Sequence, residues 1–265
     1  MYRALLVAVL AVLAGCGGAP AGEQTRTETV TAAPVPTESP DAYSPGVGTR
    51  TATDTPGALP PGVSAEGVDP QAVAAAMRTA LRGTAYEWTL DELEAREASA
   101  LRATYAGPRV HAEVAGPARY VLDYSTVIEP GDGGERTTPA SARYVDGSRI
   151  LNHDGTAVTV RPVSSAHLGY PSRVAANVAG YLAAERVAVT SFRNGSAYVR
   201  GEGSNRPGRS AYSVAALVGP EGTIRTLDAS FTRDGRERTV RFRLDRGIRF
   251  DPPAWSRGTN VTVTR

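Results

Sequence analysis

The chain has no lysine: all 29 of its basic side chains are arginine. An arginine-only, alanine-rich composition follows from a GC-rich genome and by itself implies no mechanism. Cysteine is nearly absent too. Cys16 stands alone, so no intramolecular disulfide can staple the fold, and its stability must come from core packing. No apolar stretch reaches the roughly 20 residues that a membrane-spanning helix needs. Histidine occurs three times, at His111, His153 and His167, never at the close spacings of a zinc site. His153 lies in Asn152-His153-Asp154-Gly155, which reads as a polar hairpin turn. No Gly-x-Ser-x-Gly elbow surrounds Ser164, Ser165 and His167, and no dinucleotide or Walker spacing follows Gly201-Glu202-Gly203. That glycine-rich stretch is expected to be a strand-connecting loop, and the acidic Glu92, Glu94 and Glu97 to be solvated surface. The residue types that metal, cofactor and hydrolase chemistry require are not assembled, so the expectation is a protein that is not an enzyme, with no metal site and no cofactor.

What is present begins at the N-terminus. Arg3 supplies a positive start, Ala4 to Leu13 an apolar run, and Ala14-Gly15 a small pair before Cys16. That is the layout of a secretory signal, and a cysteine directly after Leu-Ala-Gly is the lipobox of prokaryotic lipoproteins. The expectation is cleavage after residue 15, lipidation of Cys16 and residence on the extracytoplasmic face of the cell membrane. Each buried methylene of an anchor contributes about 0.8 kcal/mol, so two acyl chains hold durably where one does not. Residues 16–62 are rich in Thr, Pro, Ala and Gly and read as a disordered tether, reaching roughly 40 Å as a coil. Charge is uneven further on, since residues 186–265 carry 15 Arg against 7 acids. Such a bias suits an anionic partner or a solvated strand face; export argues against nucleic acid.

Residues 63–265 read as one α+β domain. Asp69 suits a helix N-cap, Pro70 its first turn and Gly83 its end, while Val68 and Val73 form a hydrophobic staple. Val73, Met77, Ala80 and Leu81 share one face of this helix over 69–82. Pro171, Val174, Val178, Tyr181 and Leu182 predict a second helix over about 171–184. Elsewhere the period is two. Val240, Phe242 and Leu244 alternate with arginines; Leu227, Ala229 and Phe231, and Tyr212, Val214, Ala216 and Val218, share faces of two more strands. Residues 142–145, 148–151 and 157–160 are strands as well. Asp-Gly and Asn-Gly turns at 146–147, 154–155, 194–195 and 234–235 make antiparallel hairpins. Leu90–Ala103 favours helix by propensity, but the alternation at Tyr86 and Trp88 starts a strand that is expected to run to about Ala95.

Leu59-Pro60-Pro61-Gly62-Val63-Ser64, the capped helix, and Gly83-Thr84-Ala85-Tyr86-Glu87-Trp88-Thr89 resemble the opening of a family of haloarchaeal lipoproteins of unknown function. Val218-Gly219-Pro220-Glu221-Gly222 and Asp251-Pro252-Pro253-Ala254-Trp255 are similar to its late hairpin and closing motif. A GC-rich actinobacterium would also supply such a chain. The order of helix, long strands and second helix resembles the LolA and LppX/LprG half-barrels. That resemblance implies a curved antiparallel sheet with two helices packed against it, enclosing an apolar site for an acyl or isoprenoid chain. The candidate wall is Val73, Met77, Leu81, Trp88, Tyr181, Leu227, Phe231, Val240 and Phe242, with arginines at the mouth for an anionic headgroup. The same residues also suit a filled core, which would make the protein an envelope module docking another envelope protein. Asn194 and Asn260 head N-glycosylation sequons.

Overall fold

The computed structural model describes residues 57–96, 104–130, 134–204, 206–257 and 261–263. The signal segment, Cys16, the tether up to Pro56 and Asn260 lie outside the described residues. Leu59 packs against the core and Pro60 is buried, so described residues ahead of Val63 already belong to the packed structure.

The first helix, α1 (Pro70–Ala80), forms as its sequence directs. The Asp69 carboxylate accepts hydrogen bonds from the Gln71 and Ala72 amides at 2.8 and 3.2 Å. These satisfy two of the donors that a helix start leaves open. Val73, Ala74 and Met77 form the buried stripe. The chain then folds into two antiparallel meanders. One holds β1 (Tyr86–Arg96), β2 (Thr104–Gly116), β3 (Arg119–Glu129), β4 (Arg136–Asp146), β5 (Arg149–His153) and β6 (Val158–Pro162). The other holds β7 (Ala184–Ser191), β8 (Ala197–Ser204), β9 (Ser210–Val218), β10 (Ile224–Arg233) and β11 (Arg236–Arg246). A short β12 (Val261–Val263) adds in parallel to β6.

Pairing of β1 with β11 sews the two meanders into one sheet of order β12-β6-β5-β4-β3-β2-β1-β11-β10-β9-β8-β7. Laid flat, such a sheet would span roughly 50 Å at about 4.8 Å per strand, far more than two helices can cover. Yet Tyr120 of β3, Ile150 of β5, Val199 of β8 and Val214 of β9 all join one core with α1 and the second helical segment. The sheet meets this demand by curving around the helices without closing, with β7 at one edge and β12 at the other. The antiparallel hairpins expected from the strand pattern and the half-barrel implied by the resemblance are the observed fold.

The second helical segment lies between the meanders. It comprises a single turn α2 (Ser165–Leu168), α3 (Tyr170–Ala179) and a 3-10 turn over Gly180–Leu182. The segment starts earlier than the expected 171–184, its main helix α3 is shorter, and it stops at Leu182 because β7 already begins at Ala184. Val174, Val178 and Leu182 are buried as predicted; the 3-10 turn keeps Leu182 on the apolar face after the α-helix has ended.

Local chemistry sets the turns and close approaches. Asp234 and Gly235 both take positive φ, 53° and 75°, as a two-residue hairpin turn of this twist requires. Gly107 has a different reason: a Cβ there would lie 1.9 Å from the Glu92 carbonyl oxygen. Pro108 beside it has no amide to give, and the β1–β2 ladder resumes only at Glu94 and Ala106. Two sequence expectations are corrected. Gly201-Glu202-Gly203 is not a loop but part of β8, where Gly201 is buried and a Cβ would collide with Ala184 and Val214. His153 ends β5 and stacks on Trp255 at 5.2 Å, so the turn itself starts at Asp154. On the convex face, Phe250 and Trp255 of the C-terminal segment cover Val121, Tyr144 and Leu151. No helix among the described residues is long and apolar enough to cross a membrane.

Candidate functional site

The nine expected wall residues come together. All of them belong to, or pack against, the core between the helices and the concave face of the sheet. Val73, Leu227 and Phe242 are fully buried, Met77, Trp88, Phe231 and Val240 nearly so, and Leu81 at 8% is the most open of the eight buried ones. Tyr181 is half-buried at the rim of the concave face. Trp88 lies 6.3 Å from both Tyr170 and Phe242, and Tyr212 lies 6.2 Å from Phe231. These side chains pack directly on one another.

A groove opens where this core reaches the surface. It runs between the C-terminal end of α1, the first turns of α3 and the adjoining ends of β1 and β2, with a volume of about 570 Å³. Leu81, Tyr86, Val114 and Ala175 form an apolar floor, while Arg78, Arg82 and Ser172 stand at the rim. Burial pushes the Tyr86 phenol up to about 12, so it stays neutral. Arg78 and Arg82 are exposed and make no ion pair with another described residue. At a helix C-terminus their charge is favoured by the macrodipole. An apolar floor beneath two uncommitted guanidinium groups can hold an amphiphile by its chain and its anionic head.

Several other arginines are already engaged in ion pairs. Arg109 bonds Asp91 at 2.6 Å and also Glu135, Arg241 bonds Glu129, and Arg243 grips Asp228 through both carboxylate oxygens. Arg236 and Arg238 share Glu94. A second depression of about 570 Å³ on the convex face, lined by Thr89, Asp91, Arg109, His111, Arg241 and Arg243, is therefore compensated in charge. Within the basic C-terminal third, Arg236, Arg238, Arg241 and Arg243 are paired with acids from β1, β3 and β10.

The histidines are scattered. His111 Nδ1 lies 3.2 Å from Thr89 Oγ1, and His153 stacks on Trp255. His167 Nδ1 lies 2.7 Å from Ser164 Oγ. Burial, with help from Arg143 and Arg173, holds His167 below its usual range. No carboxylate among the described residues bonds this pair, formed by exposed Ser164 just before the one-turn α2 and half-buried His167 on it, so nothing orients it as a nucleophile and base. Among the described residues no cluster of three or more His, Cys, Asp or Glu is placed to hold a metal. Asn194 is exposed on the β7–β8 turn, with its side-chain oxygen accepting from the Ser196 amide at 3.0 Å.

The fold and groove define an open antiparallel half-barrel with a helix-covered concave face and an apolar seam at one end. No protein-family model matches the chain, and no curated protein is similar to it. Among solved structures, the chain is similar to LprF from Mycobacterium bovis, at 9% sequence identity and a TM-score of 0.32, covering 69% of this chain and 95% of that one. The groove residues Ser172, Val114 and Arg82 were not foreseen as a group. They come from three distant segments, and only the tertiary fold brings them together.

Proposed function

We propose that this chain is an extracytoplasmic lipoprotein, anchored through Cys16, whose domain binds an anionic amphiphile without chemical turnover. One observation carries the reading: the groove at the α1–α3 seam joins an apolar floor to Arg78 and Arg82 at its rim. Its volume of about 570 Å³ falls within the range of small-molecule sites, about 300–1,000 Å³, and suits a single lipid or isoprenoid chain. The deeper wall residues, Val73 and Phe242 among them, would accept a longer chain only if α1 and α3 moved apart.

A second reading is favoured by how tightly that wall is packed. With most of the nine residues almost wholly excluded from solvent, the domain would serve as a filled envelope module docking a protein partner. Native mass spectrometry with lipid extraction, on the full chain purified from its membrane, separates the two. A lipid of defined mass should co-purify, and Ser172→Trp, which fills the groove mouth from an exposed position, should reduce its occupancy severalfold. Protein free of lipid, or occupancy unchanged in the variant, would remove the groove reading and favour the filled module.

A further inference from the structure

The antiparallel topology sorts every turn to one of two ends of the half-barrel. The β7–β8, β9–β10, β2–β3 and β4–β5 turns share one end with the start of β1 and the finish of β11. The groove opens at that same end, since Gly83, Tyr86, Gly116 and Pro117 line it. The chain also enters the domain there. Gly57 lies so close to the β7–β8 turn that a Cβ on it would stand 2.8 Å from the Arg193 carbonyl oxygen and 2.9 Å from the Gly195 amide. Gly57, the first described residue, therefore lies beside this turn.

Phe192, on the same turn, is 43% exposed and the most exposed large apolar side chain among the described residues. Arg78, Arg82 and Arg161 stand at this end without an ion pair to another described residue. An exposed aromatic at the same end as Arg78, Arg82 and Arg161 matches the chemistry of an anionic bilayer surface, where the ring enters the headgroup boundary and these cations meet lipid phosphates.

We propose that this end of the half-barrel docks on the surface of the membrane holding the anchor, with Phe192 inserted and the groove loaded directly from that bilayer. The inference rests on the lipid-anchored binding reading above. Docking seats the mouth of the groove at headgroup depth, so an amphiphile would enter without crossing water.

The test uses the full lipidated chain in vesicles of phosphatidylcholine and phosphatidylglycerol. Cys16 is the only cysteine and its thiol is consumed by the anchor, so Phe192→Cys and Asp234→Cys each offer a unique site for an environment-sensitive dye. Asp234 marks the opposite end of the sheet. Flotation first reads anchoring; a chain that fails to float refutes the anchor itself. In floating protein, the dye at 192 should shift to the blue and be quenched by spin-labelled headgroups, while the dye at 234 stays aqueous. Equal responses at both ends, or none at 192, overturn the docking end while leaving the anchor standing. Phe192→Asp, with its fold checked by circular dichroism, should slow lipid loading from vesicles severalfold and leave loading from detergent micelles unchanged. Equal slowing from both sources would also overturn it.

Discussion

Replacing Glu221 by glutamine removes the charge that ties one end of α1 to the sheet. Burial raises the Glu221 pKa. Hydrogen bonds from Thr223, its own amide and Arg246, with the charge of Arg225, outweigh that and hold it at about 2, against the usual 4.5. Arg246 donates to Glu221 at 2.7 Å and, with its other terminal nitrogen, to the Ala80 carbonyl at 3.0 Å. The carboxylate thus fixes the arginine that closes α1, directly behind the groove. A depression of this size corresponds to roughly 3 kcal/mol. Because the Glu221 side chain is 27% exposed, solvent screening lowers the expected loss for Glu221→Gln to about 2 kcal/mol. For a domain of this length that is a fall of roughly 4–8 °C in Tm. The folded pKa lies below the unfolded one, so the stabilisation is present above about pH 4.5 and is lost as pH falls towards 2. Urea unfolding of both proteins across this range is the assay. The gap between them should be full at pH 7 and vanish near pH 2. Equal stability at pH 7, or a gap constant down to pH 2, would refute the reasoning.

Other substitutions probe separate parts of the structure. Asp69→Ala strips two amides of their acceptor and should cost about 0.5–2 kcal/mol in thermal unfolding. Gly107→Ala sets a methyl group against the Glu92 carbonyl; it should destabilise by about 1–3 kcal/mol or prevent folding, and a wild-type Tm would contradict the close approach. Arg78→Gln with Arg82→Gln should weaken binding of an anionic amphiphile at least tenfold in a fluorescence titration, while unfolding loses no more than the helix-terminal contribution of about 0.3–1 kcal/mol per charge, because neither arginine has an ion-pair partner among the described residues.

Much of the fold was legible because its signals are local. Asp69-Pro70 marks a helix start wherever it occurs, and Val240-Arg241-Phe242-Arg243-Leu244 alternates regardless of its neighbours. The end of the second helix was harder to read, because Tyr181 and Leu182 keep the helical spacing through a 3-10 turn. Gly201 misled for a related reason: glycine serves equally for a turn and for a tight approach, and only the position of Ala184 tells which. The β1–β11 pairing had no local signal at all. The apolar wall was legible as a set but not as core or pocket, since both uses demand the same side chains. The groove itself depends on Leu81, Val114 and Ala175 meeting, which no periodicity reports.

The seam between β1 and β11 has a consequence for how the chain assembles. Tyr86 pairs with Arg246, so an early strand receives its second neighbour only after nearly the whole domain has been made. A chain emerging N-terminus first can zip β1 to β6 by short hairpins, but until β11 arrives β1 is a bare edge beside an uncovered apolar face. Folding is then governed by a contact of high sequence separation, which slows the final step. Any chain ending short of Arg246 would expose that edge permanently, a template for pairing with other molecules.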